Sequence, residues 1–235
     1  MATLPNLRRL AIKYVEYSSA SMAALSRLTA LSYLELDNPA SLPPPMALPA
    51  LQRLCVSDEA SVVAEEALDG MLQPLTQLVG LALGAVDVVP PAVGSLAQLQ
   101  QLCIWRTELP AVALPAPHSL HRLRRLGLEW RVAAASVPAL MAMPALQELW
   151  LRNAPDKSSA RAEQWAAFWA WAAAHPPLRR LRLRPFLFIE HRHTPLTVCS
   201  HMTLEILMLV RSRPSLHVHL DHGSHTTFYD AFNAE

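Results

Sequence analysis

The chain has 235 residues, 52% of them hydrophobic and 17% charged, which is ample for a core and too apolar for general disorder. Its formal net charge of +1 excludes a global field that would draw it to nucleic acid or to an acidic membrane surface. Three widely spaced cysteines, Cys55, Cys103 and Cys199, include no CxxC pair, so no disulfide framework is implied and a reducing compartment is favoured.

Prolines number 20 and glycines 6, so turns rest on Pro and polar residues more than on Gly. The N-terminal MATLPNLRRLAIKYVEY carries no apolar run long enough for a signal peptide. The apolar stretches 165–174 and 206–210 fall well short of the roughly 20 residues of a membrane span. A soluble, cytoplasmic protein is expected.

From the first residues onward the pattern Leu-x-x-Leu-x-x-Leu-x-Leu recurs. It opens at Leu4, Leu7, Leu10 and Ile12 and returns from Leu28, Leu48, Leu75, Leu96, Leu120 and Met143. A weaker copy places His175 in the first slot, ahead of Leu178, Leu181 and Leu183. All spacings but the last lie between 20 and 27 residues, the range of stacked structural repeats. Each Leu-x-Leu is a strand of period two with both leucines inward, and successive copies stack as parallel strands about 4.8 Å apart.

Between the strands, 18–28 and 61–72 have helical composition. The clearest helix is 158–174, with Ser158 or Ser159 as cap. Trp165, Phe168, Trp169 and Ala172 share one of its faces and are expected to pack on the sheet, while Trp171 lies off this stripe and is expected to be exposed. A long loop is expected over 184–201, then a helix over 203–213 stopped by Pro214, and a ninth strand carrying Leu216, Val218 and Leu220. The expected organisation is one solenoid of about eight or nine irregular repeats over residues 1–222, with a tail at 223–235. The first repeat begins almost at Met1 without a polar capping unit, which points to a segment of a longer array.

These repeats resemble the leucine-rich-repeat family, over residues 4–183 and one further unit. The run Val89-Pro-Pro-Ala-Val-Gly-Ser-Leu-Ala-Gln-Leu-Gln-Gln-Leu-Cys-Ile is similar to the plant-type repeat, with fainter copies at Leu42-Pro43 and Leu109-Pro110. The resemblance implies an α/β fold: a right-handed leucine-rich-repeat solenoid with a concave parallel β-sheet and a convex side of helices, 3₁₀ turns and loops. One departure stands out. Family repeats place Asn or Cys after the strand, and here only Asn38 and Asn153 qualify, so the other turns must satisfy their backbone groups differently. Related arrays serve plant immune receptors, F-box ubiquitin-ligase receptors and algal scaffolds of cilia or the cytoskeleton. The resemblance therefore implies a protein- or peptide-binding module in the cytoplasm, or alternatively at the ciliary axoneme or cytoskeleton.

The register assigns outward positions on the concave face. Trp105 and Trp150 fall there, accompanied by Arg53, Arg125, Glu129, Glu148, Arg152, Arg180, Arg182 and Arg184. Trp and Arg combine contact area with directional bonding, so these ten residues are the candidate partner-binding set. The strand Gly80, Ala82, Gly84 is bare and should leave a shallow depression between Arg53 and Trp105. Arg180, Arg182 and Arg184 on one strand repel one another unless an anion sits among them, which makes anion or acidic-ligand recognition the alternative function.

His217 and His219 project from one strand face in line with Asp221, a geometry for zinc or nickel, but no Cys and His spacing supports a closed site and no metal or cofactor is expected. GxGxxG, Walker, GxSxG and HExxH motifs are absent, and Cys199 beside His201 is a poor nucleophile pair, so no enzymatic activity is expected. The expected partner is a protein or peptide rather than nucleic acid.

Overall fold

A strand with leucine at every second position buries one edge of its side chains and leaves its backbone donors and acceptors to be met by neighbouring strands. The computed structural model satisfies both demands by repetition. It describes residues 4, 6–13, 24–37, 42, 48–57, 63–86, 88–105, 114, 120–129, 133, 136–154, 162–185 and 200–220, with the backbone path alone at 153–154, 162–165, 184–185, 200–205 and 220. The tail at 223–235, the Ser158/Ser159 cap, Asn38, Asp221, Cys199 and most of the 184–201 loop lie outside these residues.

Two compact units divide the chain, 1–123 and 124–235. The first unit holds β1 (Arg9–Lys13), β2 (Tyr33–Asp37), β3 (Arg53–Ser57), β4 (Gly80–Gly84) and β5 (Gln101–Trp105), with helix α1 (Glu65–Leu72) and 3₁₀ turns at Ala24–Arg27 and Pro91–Ser95. The second holds β6 (Arg125–Glu129), β7 (Glu148–Ala154), β8 (Arg180–Pro185) and β9 (His217–Leu220), with α2 (Val137–Met141), α3 (Ala162–Ala174) and α4 (Ser200–Ser212). Within each unit consecutive strands pair in parallel. The strands lie where the leucine pattern puts them. Of the expected helix at 18–28, the described part is the short 3₁₀ turn.

The register keeps the leucines in ladders. Leu10, Leu34, Leu54, Leu81 and Leu102 are successive partners in the first unit. Leu126, Leu149, Leu181 and Val218 are partners in the second. The interior members of these ladders are buried, and a second buried row lies beside each: Leu36, Val56, Leu83 and Ile104 in the first unit and Leu128, Leu151 and Leu183 in the second. Strand β1, paired on one side only, leaves Leu10 and Ile12 half-buried.

Each strand is preceded by a turn that reuses one hydrogen-bond scheme. The N–H of the second leucine donates to the carbonyl of the first slot, as in Leu51 to Leu48 (3.0 Å), Leu99 to Leu96 (3.0 Å) and Leu178 to His175 (3.2 Å). The carbonyl just ahead of the strand then accepts two N–H groups of the next repeat: Ser32 takes Gln52 (2.9 Å) and Arg53 (3.0 Å), and Gln147 takes Arg179 (2.7 Å) and Arg180 (3.0 Å). Where the familiar Asn is missing after β4, the backbone bonds to itself. Ala85 adopts a left-handed conformation (φ 55°), donates to the Trp105 carbonyl (3.0 Å) and accepts from Val63 (3.0 Å). For alanine that conformation costs roughly 1–2 kcal/mol. Behind the sheet, an Asp69 carboxylate oxygen on α1 accepts the Ala92 N–H (2.6 Å), bracing the proline-initiated 3₁₀ turn of the next repeat.

Helix α3 departs from expectation at one residue. Phe168, Trp169 and Ala172 are buried as its stripe predicts, but Trp171 is buried as well. Its ring lies 5.6 Å from Phe168 and 5.2 Å from the imidazole of His175. The helix packs against both α2 and α4, so more than one of its sides is covered.

The first-slot positions of the last two repeats are polar, and they meet. His175 is buried where other repeats carry leucine. Arg213 opens the turn that leads into β9, through the Leu216 N–H to its carbonyl (3.0 Å). Its guanidinium spans the end of α3, donating from Nη1 to the carbonyls of Ala172 (2.9 Å) and His175 (2.6 Å) and from Nη2 to those of Pro176 (3.2 Å) and Leu178 (2.8 Å). One cation thereby satisfies carbonyls that the helix end leaves open and favours the negative end of its dipole.

Burial pushes the His175 imidazole below its usual range, a hydrogen bond to the Leu146 carbonyl counteracts this in part, and the charge of Arg213 pushes it further down. A histidine held neutral in the fold and free to protonate in the unfolded chain contributes full stability above the unfolded value near ~6.5 and loses it as pH falls from there toward the folded value. Two outcomes are expected. Arg213→Ala should lower the free energy of unfolding in urea by about 2 kcal/mol, and Arg213→Lys should recover less than half of that, because an ammonium cannot fork across the carbonyls. His175→Leu should shrink the fall in urea midpoint between pH 7.5 and pH 5; an undiminished fall would assign the pH dependence elsewhere.

Candidate functional site

Residues that alternate with the leucines point to the opposite, outer face of the sheet. All ten candidate positions fall on or at the ends of β3, β5, β6, β7 and β8 in the expected register. Arg53 and Trp105 belong to the first unit and the other eight to the second.

In the first unit the outer face is bonded to itself. Arg9 lies over the ring of its register partner Tyr33 (4.9 Å), and the Tyr33 hydroxyl donates to Glu35 (2.8 Å). Lys13 pairs with the same carboxylate at 2.7 Å, a hydrogen bond that raises the lysine above its usual range. Ser57 donates to its register partner Asp37 (2.7 Å). The middle of this face is small and buried: Cys55, Ala82 and Cys103, with neither cysteine in a disulfide.

The expected depression at Gly80 and Gly84 is filled. Trp105 is the register partner of Gly84, and a Cβ added to that glycine would lie 2.7 Å from the indole Nε1 and 2.9 Å from Cε2. The ring occupies the room that the missing side chain leaves, and only 4% of Trp105 is exposed. The tryptophan is on the predicted face, but it is part of that face's packing and not a projecting anchor.

Trp150 is placed similarly in the second unit. Its register partner on β6 is Gly127 and on β8 is Arg182. Its indole N–H donates to Glu148 Oε1 (2.8 Å), and the Arg182 guanidinium sits over its ring at 5.2 Å. It is 5% exposed, again a correction to the expectation of an open aromatic surface. Glu148, itself buried, is the hub: Oε1 also pairs with Arg182 Nε (3.0 Å) and Oε2 with Arg125 Nε (3.4 Å). Glu129 is buried and Arg152 half-buried nearby in sequence register, while Arg184 is described by its backbone alone.

Beyond Arg182 the balance of charge changes. Arg180 and Arg182 are register partners of His217 and His219, and these four side chains line a depression of about 340 Å³. Arg180, His217 and His219 are exposed. Among the described residues, Glu148 is the one carboxylate paired with this group, and it holds only Nε of Arg182. The depression therefore presents donors and positive charge with little to satisfy them. Among the described residues, no three His, Cys, Asp or Glu side chains are grouped to hold a metal ion, and no helix is long and apolar enough to cross a membrane.

The parallel leucine ladders, one strand per sequence repeat, decide the architecture. It is a leucine-rich-repeat fold. The chain is similar in structure to an internalin from Listeria monocytogenes, at 15% identity and a TM-score of 0.41, over 91% of this chain and 47% of that one. It is also similar to a leucine-rich-repeat protein of Leptospira interrogans, at 15% identity and a TM-score of 0.41, over 92% of this chain and 61% of that one. The chain thus spans less than two thirds of either neighbour. No family model and no curated protein matches it.

The glycine beneath Trp105 gives a direct check on the outer-face packing. Gly84→Ala should destabilise the chain by about 1–3 kcal/mol in a urea titration through overpacking against the indole. Gly84→Ala combined with Trp105→Leu should be less destabilised than the sum of the single changes; strict additivity would place the ring elsewhere.

Proposed function

We propose that this chain is a non-catalytic recognition module that takes an acidic protein or peptide segment on the outer face of its second unit. The observation that carries the reading is the depression lined by Arg180, Arg182, His217 and His219. Guanidinium groups match carboxylate geometry and lose less on desolvation than an ammonium, so such a row is suited to an acidic partner. Glu148 and Trp150 support Arg182 from below and beside it, which restricts its rotamers before a partner arrives. The proposed contact set is narrower than the ten residues expected from the register. Arg180 and Arg182 form its centre and Arg125 and Arg152 its flank, while Trp150, Glu129 and Glu148 support the surface from within it, and Trp105, in the first unit, lies outside the set. Arg53, in the first unit, has no assigned part in this contact. The absence of catalytic motifs in the sequence accords with recognition without chemistry.

The proposal is tested with two fluorescein-labelled peptides of equal length, one rich in Glu and one rich in Lys, followed by polarisation. The Glu-rich peptide should bind and weaken several-fold as salt rises through the range where surface charges are screened. Arg180→Ala should weaken it about fivefold or more, roughly 1 kcal/mol. Equal binding of the Lys-rich peptide, or an Arg180→Ala variant that binds as well as the unaltered chain, would remove the basis of the reading.

A further inference from the structure

The four described side chains that line the depression can all donate, and their hydrogen-bonding capacity is mostly unspent. Arg180, His217 and His219 have no hydrogen-bond or ion-pair partner among the described residues, and Arg182 commits only Nε, to Glu148 Oε1. A guanidinium has five N–H donors in a fixed fork, so the Nη edge of Arg182 and the whole fork of Arg180 remain for a ligand. The two arginines alternate along β8, and each has an imidazole as its register partner on β9. The result is a two-by-two array of donors on one sheet face.

A single carboxylate has two oxygens and one charge and is saturated by one guanidinium in the bidentate arrangement. It would leave the second arginine of this array without an acceptor. A phosphomonoester brings three terminal oxygens and a charge of about −1.5 to −2, enough to be shared between both forks and an imidazole. Glu148 sharpens this match. Buried and held by Trp150, Arg125 and Arg182, it fixes the Arg182 guanidinium by Nε and directs the opposite edge away from itself. The depression, about 340 Å³, has room for a phosphoryl group together with the side chain that carries it.

We infer that the Arg180, Arg182, His217 and His219 depression is a phosphoryl-binding site for a phosphorylated serine or threonine of a protein partner. This rests on the reading of the second unit as an acidic-segment binder and specifies its ligand. Arg180 and Arg182 carry the contact, the two histidines donate from the neighbouring strand, and Glu148 acts as a positioning residue through Arg182.

The test uses three fluorescein-labelled peptides of one Gly- and Ser-rich sequence, differing only at a central Ser, Glu or phosphoserine, bound to the full chain at fixed pH and salt. The phosphoserine peptide should bind at least about tenfold more tightly than the Glu peptide, as expected when a second charged fork is engaged, and inorganic phosphate should compete with it. Arg180→Ala, an exposed position whose loss leaves the packing intact, should abolish that preference, whereas Arg211→Ala, the same loss of charge on α4, should preserve it. Equal binding of the Glu and phosphoserine peptides would overturn the phosphoryl assignment while leaving the acidic-segment reading in place. No binding of either would overturn both. Stronger binding to vesicles containing a phosphoinositide than to the phosphoserine peptide, lost in Arg180→Ala, would overturn the protein source in favour of a lipid headgroup.

Discussion

The in-phase stacking of leucines from one repeat to the next governs everything else in this chain. Side chains alternate across a strand with a period of two, so a slip of one residue would turn Leu34 and Leu36 outward and drive Tyr33, Glu35 and Asp37 into the core. The apolar ladders forbid that slip, and each turn repeats the same backbone bonds to deliver the next strand in phase. The outer row is therefore positioned by what lies on its opposite side. None of its residues sets the register, so their chemistry answers to their neighbours on that face and not to the core.

That face is used differently in the two units. In the first, charged groups find partners on neighbouring strands: Lys13 with Glu35, Asp37 with Ser57, Arg9 over Tyr33. In the second, one buried carboxylate serves two arginines and an indole, and Arg180, which alternates with Arg182 on β8, has no ion-pair partner among the described residues. Arg180 is exposed and enters no ion pair among the described residues, so its charge does little to hold the fold together. What it does create is a local surplus of positive charge on a chain whose formal net charge is only +1.

The strands were legible in the amino-acid pattern because Leu-x-Leu is a local signal and burial on the core face follows from it directly. The segment around Pro91–Ser95 was marked only by its similarity to the plant-type repeat, and its 3₁₀ form is what the structure adds. The burial of Trp105 was not legible, since it depends on Gly84 lying opposite on the preceding strand, a relation that appears only once the register is applied to pairs of residues. Trp171 was misread because a helix-face argument assumes one buried side, and α3 has neighbours on more than one. The part played by Arg213 is recoverable in hindsight. It stands three residues before Leu216, in the slot that leucine fills elsewhere, yet nothing local says that it reaches back to the end of α3. The arginine row on β8 was legible, and its pairing with His217 and His219 follows from the parallel register.

The fit of Trp105 over Gly84 bears on how such an array can evolve. If the β4 repeat were excised and the remainder rejoined in phase, the indole would face Ser57, whose hydroxyl is already committed to Asp37 and whose Cβ occupies the space. Duplicating β5 would set one indole against another. The leucine rungs are interchangeable, but the outer face is keyed strand to strand, so gain or loss of a whole unit here demands compensating change in its neighbours. Order along this array is thereby encoded in side chains that contribute nothing to the repeat motif itself.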